Sequence, residues 1–190
     1  LIHSMESYLV EADANNNVDA PPMVLPRGHL HAKFLHENGL PRHAYTLDMA
    51  IHAPEVIAAY KTRADTCLHP SKVEGFGMNV LECQAAGPPV ITTNHTAMGD
   101  FTKMGRSITP RQMVRTPSGL YEMAMPDVPG IADALMELYE EHVAIKSGDQ
   151  KAVARREKEI KEAHAWLDAT FTTEPVAKKF VFLIEKAEEE

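Results

Sequence analysis

The sequence has few of the features that would classify it at once. It has two cysteines in 190 residues, Cys67 and Cys83. Both lie on segments predicted to be a buried strand and a buried helix, so reduced core thiols are the favoured reading and a disulfide the lesser one. No apolar run approaches the ~18 residues of a membrane span. Basic residues are outnumbered, 19 Lys and Arg against 27 Asp and Glu, for a net charge of −8, which argues against general nucleic-acid binding. Part of the acidic excess sits at Glu185–Glu190. There is no internal repeat, and no low-complexity segment apart from that acidic end. His29, His31 and His36 cluster in sequence, but no cysteine or carboxylate group completes a metal-ligand pattern around them, and no metal is expected.

What is present fits one compact unit, since a chain of this length can bury roughly 70% of its unfolded surface. Its centre of interest is His69-Pro70-Ser71-Lys72-Val73-Glu74-Gly75-Phe76-Gly77-Met78-Asn79-Val80-Leu81-Glu82. Ala64 to His69 reads as a short buried strand that Pro70-Ser71 ends. Gly75 and Gly77 carry no Cβ, so the loop can take unusual dihedrals and a ligand can approach its backbone. A helix is predicted from about Gly77 to Ala86, closed by Gly87 and barred from continuing by Pro88-Pro89. Its first turn offers free N–H groups and a positive dipole end, which favour phosphate.

Within that helix, Met78, Leu81 and Ala85 fall at i, i+3 and i+7, with Val80 and Cys83 widening the apolar surface. Burial on more than one face is therefore expected, and Glu82 comes to the edge of a core. A carboxylate there needs hydrogen bonds, which ligand hydroxyls or a nearby base can supply. Pro89-Val90-Ile91-Thr92-Thr93 makes a second strand. Strand, helix and strand form a right-handed βαβ unit with parallel strands. The loops at Pro70–Gly77 and Asn94–Asp100 then share the carboxyl edge of the sheet, where open α/β sheets bind ligands.

Glu74-Gly75-Phe76-Gly77-Met78-Asn79-Val80-Leu81-Glu82, followed by Ala85-Ala86-Gly87-Pro88-Pro89-Val90-Ile91, resembles the E-x7-E signature of retaining, nucleotide-sugar-dependent glycosyltransferases of the GT-B fold, family 4 type (glycosyl transferases group 1). The chain departs from that pattern at Cys83 and Pro88. The resemblance implies a Rossmann-like three-layer α/β/α fold with a parallel sheet, the C-terminal half of a GT-B glycosyltransferase. Glu74 would lie near the donor sugar. Glu82 would accept hydrogen bonds from the ribose hydroxyls, and the Gly75-Phe76-Gly77-Met78 backbone would face the sugar and phosphates. Retention would proceed by front-face attack assisted by the donor phosphate, with the protein placing the reactants and stabilising the leaving diphosphate. Thr96-Ala97-Met98-Gly99-Asp100 stands where the family often carries Gly-Gly and Glu, so Asp100 would replace that acid. His69, Lys72, Asn94 and His95 are further candidates for the cleft.

The same resemblance extends to Leu47–His52 as a strand, Ala53–Tyr60 as a helix, and Trp166 with the terminal helix as the closing element. Residues 1–185 would correspond to most of the donor-binding domain, with helices over about 130–188 closing it. The family's N-terminal, acceptor-binding domain would then lie outside this sequence or on another chain. The family's Arg and Lys for the diphosphate belong to a loop after the first strand. Leu1–Leu9 resembles the helix after that loop, and Arg27, Lys72 and Lys103 are candidate cations outside the pattern. The substrate would be a UDP-, GDP- or ADP-sugar, no cofactor would be required, and a cytoplasmic or cytosolic-face location is favoured. A non-catalytic, glycosyltransferase-like scaffold subunit is the alternative.

Elsewhere, residues 1–15 read as a helix, Asn15–Pro22 as a polar loop, Met23-Val24-Leu25 as a strand and Leu30–Asn38 as a helix. Thr116–Gly130 reads as an irregular connection. Three helical patterns follow: one marked by Ile131, Leu135 and Leu138, a charged one over Lys151–Asp168 with a solvated face, and one whose stripe Val176, Phe180, Leu183 and Ile184 is expected in the core.

Overall fold

A computed structural model describes residues 2–3, 8–11, 23–26, 37, 39, 47–48, 52–116 and 119–188. The chain divides into two compact units, residues 1–54 and 55–190.

In the first unit, β1 (Ile2–His3) pairs in parallel with β4 (Leu47–Asp48), and β2 (Tyr8–Glu11) pairs antiparallel with β3 (Met23–Pro26). The strand expected at Met23-Val24-Leu25 is present. The helix expected over residues 1–15 is not, since Ile2–His3 and Tyr8–Glu11 are extended. Tyr8, Leu9 and Val10 are aromatic, apolar and β-branched in turn, and pairing with Met23–Pro26 supplies the hydrogen bonds a helix would have made locally. The loop expected over Asn15–Pro22 lies outside the described residues, as do Arg27, His29, His31, His36 and all of the Leu30–Asn38 helix except Glu37.

The second unit opens in α1 (Pro54–Arg63), which ends three residues beyond Tyr60, the expected end of that helix. The chain then alternates through β5 (Cys67–His69), α2 (Met78–Ala86), β6 (Val90–Thr93), α3 (Thr96–Phe101) and β7 (Gly105–Ile108). The three strands form one parallel sheet in the order β5-β6-β7, with Cys67 opposite Val90 and Val90 opposite Gly105. Strand β6 is buried at all four positions, and its residues alternate between two cores. Val90 packs with Val80, Cys83 and Met98 from α2 and α3, while Ile91 packs with Ile131, Ala134 and Leu138 of α4 (Val128–Lys146). Helices therefore cover both faces of a parallel sheet, a Rossmann-like α/β arrangement.

Local chemistry sets the boundaries. Gly77 (φ +82°) and Gly87 (φ +105°) bracket α2, and both take the left-handed conformation. At Gly105 (φ +118°) a Cβ would overlap the backbone of Val90, so glycine lets β7 lie against β6. Asp149 caps α5 (Gln150–Phe171) by accepting from the N–H groups of Lys151 and Ala152, at 2.8 and 3.3 Å. Helix α6 (Thr173–Glu188) follows.

Four expectations are corrected here. Val80, Leu81 and Cys83 of α2 are buried as expected, but Met78 and Ala85 are exposed and Gln84 is buried in addition, because α2 is held by α5 as well as by the sheet. Thr116–Gly130 contains a strand, β9 (Glu122–Met125), paired antiparallel with β8 (Gln112–Arg115) in the register Gln112 to Met125 and Arg115 to Glu122. Cross-strand pairing overrides the weak β-preference of Glu-Met-Ala-Met. Cys67 and Cys83 form a disulfide, their Cα atoms 6.4 Å apart where β5 crosses under α2. Finally, Val176 and Phe180 on α6 are at least half exposed rather than core, while the side chains of Leu183 and Ile184 lie outside the description. Among the described residues, no helix is long and apolar enough to cross a membrane.

Candidate functional site

The loop from Pro70 to Gly77 leaves the carboxyl end of β5 and enters α2. Its backbone is pinned from several sides. Ser71 Oγ donates to the Val73 carbonyl at 2.6 Å, the Ala124 N–H donates to the Lys72 carbonyl at 2.9 Å, and Thr96 Oγ1 donates to the Glu74 carbonyl at 3.3 Å. The last bond joins this loop to the start of α3, so the two loops predicted to share the sheet edge meet there. Thr96 has φ +50°, a conformation that costs a β-branched residue strain, and it lies at this junction.

Glu74 is the centre of the loop. One carboxylate oxygen lies 3.1 Å from His69 Nε2, and the other accepts the Gly75 N–H at 3.0 Å. The His69 hydrogen bond, with the Gly77 and Gly75 N–H groups, holds the Glu74 carboxyl below its ordinary range, against partial burial that acts the other way. The loop's own carboxylate thus binds the N–H groups predicted to face a ligand. Gly77 is buried beside Glu74, Ala97 and Phe101.

Glu82 lies one helical turn further along, with its side chain 47% exposed. It is paired with Lys61 of α1, whose Nζ also donates to Asn79 Oδ1 at 3.1 Å. Lys61 engages one oxygen of Glu82, leaving the other without a hydrogen bond among the described residues. Lys61 and Asn79 were not picked out by the sequence reading. A base 21 residues upstream on another helix leaves no local spacing signal.

The other candidates are placed less centrally. Half-buried His95 precedes α3 without capping it through its side chain, and its N–H donates to the Thr93 carbonyl at 2.8 Å. Asn94 and Asp100 are exposed on the same edge, and Met78 is exposed at the first position of α2. Lys72 is exposed, but its carbonyl serves β9. Lys103 Nζ lies 4.9 Å from the centre of the Trp166 ring. Phe76 packs on Phe101 and Phe171 at centroid distances of 5.3 and 5.9 Å. Among the described residues, no group of three or more His, Cys, Asp or Glu could hold a metal ion.

A parallel sheet, a glycine-bearing loop at its carboxyl edge and a helix starting from that loop form the kind of edge where open α/β sheets bind ligands. Residues 46–112 match the family model described as Glycosyl transferases group 1. The matched segment is about a third of the chain and spans the elements from β4 to the first residue of β8, including Glu74, the loop and Glu82. This segment is similar to a glycosyltransferase group 1 domain. No curated protein and no solved structure matches the chain.

Proposed function

We propose that this chain is the donor-binding domain of a GT-B, family 4 type glycosyltransferase. It would bind a UDP-, GDP- or ADP-sugar and transfer the sugar with retention to an acceptor held by another domain or chain. The observation that carries this reading is the Glu74–Glu82 pair, which flanks a glycine-bearing loop at the carboxyl edge of a parallel sheet, inside the segment that matches the family model. In this reading the free oxygen of Glu82 accepts the ribose hydroxyls while Lys61 holds the other. Glu74 lies on the donor-sugar side and exchanges its bonds to Gly75 and Gly77 for bonds to the sugar. Met78 and the start of α2 face the phosphates, with His69, Lys72, Asn94, His95 and Asp100 around the cleft. Retention is by front-face attack with the leaving diphosphate assisting, so the protein contributes placement and charge stabilisation.

One observation favours the second reading, a non-catalytic scaffold that kept the fold. Both acids already have protein partners, Glu74 with His69 and its own loop, and Glu82 with Lys61. Calorimetric titration with UDP, GDP and ADP separates the two readings. Binding of one nucleotide, weakened by about 1–3 kcal/mol in Glu82→Ala, is the expected result. No binding to any of the three would favour the scaffold.

A further inference from the structure

The loop that carries Glu74 has a mechanical problem. Gly75 and Gly77 flank Phe76, and glycine has the most backbone freedom to lose on ordering. Phe76 is therefore the only side chain within the Gly-Phe-Gly stretch that can fix it. Its ring joins a closed triangle with Phe101 of α3 and Phe171, the last residue of α5. The centroid distances are 5.3 Å (Phe76–Phe101), 5.9 Å (Phe76–Phe171) and 5.2 Å (Phe101–Phe171), all edge-to-face. Trp166, five residues earlier on α5, adds to the cluster at 5.3 Å from Phe171 and 6.1 Å from Phe101. Edge-to-face geometry is favourable for the three phenylalanine pairs and for Trp166–Phe171, while the Phe101–Trp166 pair is tilted. Phe171 lies 95 residues from Phe76 and belongs to no part of the glycine loop, the sheet edge or the segment that matches the family model.

We propose that Phe171 is a positioning residue for the donor loop. By clamping Phe76 from the end of α5, it pre-organises the Gly75–Gly77 backbone that meets the donor, so less ordering entropy is lost on binding. This inference rests on the donor-binding reading and adds a residue to it. It also makes Trp166, the single tryptophan of the chain, a neighbour of the site.

The test uses the full 190-residue chain as wild type, Phe171→Leu, Phe171→Tyr and Ile131→Val. Ile131→Val is a control on the opposite face of the sheet. In the ligand-free protein, backbone amide exchange over residues 74–78 is expected to be roughly three- to tenfold faster in Phe171→Leu. It should return to the wild-type rate in Phe171→Tyr and stay unchanged in Ile131→Val. Titration with UDP, GDP and ADP is expected to show the same fold-loss of affinity in Phe171→Leu. Wild-type exchange rates in Phe171→Leu, or equal acceleration in the Ile131→Val control, would overturn the clamp whatever the binding result. A wild type that binds none of the three nucleotides would instead remove the donor reading, and with it the role of the clamp in donor binding. If Phe171→Leu does not fold, Phe171→Met carries the same comparison.

Discussion

Replacing Gln84 with methionine should be among the most damaging single changes in the second unit, although the volumes nearly match. Gln84 is fully buried on α2. Its Nε2 donates to the Val80 carbonyl at 3.1 Å and the Phe101 carbonyl at 2.8 Å. Its Oε1 accepts the N–H groups of Lys103 at 2.7 Å and Met104 at 2.8 Å. The amide thus uses all of its hydrogen-bonding capacity to tie α2 to the turn that follows α3. In Gln84→Met the Val80 carbonyl keeps its helical partner, but the Met104 N–H is stranded in the core, and the Lys103 N–H and Phe101 carbonyl are stranded where water only partly reaches. A buried polar group left unpaired costs about 1–3 kcal/mol. With the Met104 group taken at full cost of about 1–3 kcal/mol and the other two at roughly half for partial hydration, the loss comes to about 2–6 kcal/mol. That is a large share of the roughly 5–15 kcal/mol that stabilises a domain. Urea unfolding followed by Trp166 fluorescence measures it directly. With a slope of about 2 kcal/mol per molar, the midpoint should fall by roughly 2 M at unchanged slope. A fall below about 0.5 M would refute the reasoning, because it would mean that the stranded groups find other partners. Gln84→Glu should be at least as harmful at neutral pH, since it sets a carboxylate against two carbonyls.

Two further outcomes are expected. Reduction of Cys67–Cys83, or Cys83→Ala, should lower stability by about 3 kcal/mol, since the bond closes a loop of 16 residues' separation; full thiol titration of the native, unreduced protein would sink this. Glu141 on α4 is buried and held by Arg155 and Arg156 of α5 at 3.2 and 2.7 Å. Burial raises its pKa, but the Arg156 and Arg155 contacts outweigh that and lower it overall. Its contribution to stability is therefore complete above the unfolded carboxylate value of about 4.3 and is lost as pH falls through the lower folded value. Glu141→Ala should cost about 3 kcal/mol at pH 7, and the difference from wild type should shrink in acid. A pH-independent difference would count against the ion pair as its source.

The βαβ core was legible because its signals are local. Gly77, Gly87 and Pro88-Pro89 bracket α2 by backbone chemistry alone, and the β-branched run through Val90–Thr93 allows few alternatives. The α2 stripe was right at Val80, Leu81 and Cys83 but not at Met78 and Ala85, because period alone treats Gln84 as a polar surface residue, whereas distant backbone groups at Phe101, Lys103 and Met104 draw it inside. β9 was missed for the same reason, since Glu-Met-Ala-Met becomes a strand only against β8. Within the candidate site, Glu74, His69 and the two glycines could be read within nine residues. Lys61, Asn79 and Phe171 could not, because each acts across elements and none has a spacing that marks it.

In the sheet, spatial order follows chain order. β5, β6 and β7 lie side by side in the sequence in which they are synthesised, each joined to the next by a single helix. Such a unit can grow strand by strand as it leaves the ribosome, because every new strand pairs with the one just made, and its contacts stay short in sequence. The helices that follow the sheet are different. His164 of α5 reaches back to the Gln84 carbonyl at 3.1 Å, and Phe171 reaches back to Phe76. The loop bearing Glu74 thus acquires its final neighbours only after nearly a hundred more residues have been made.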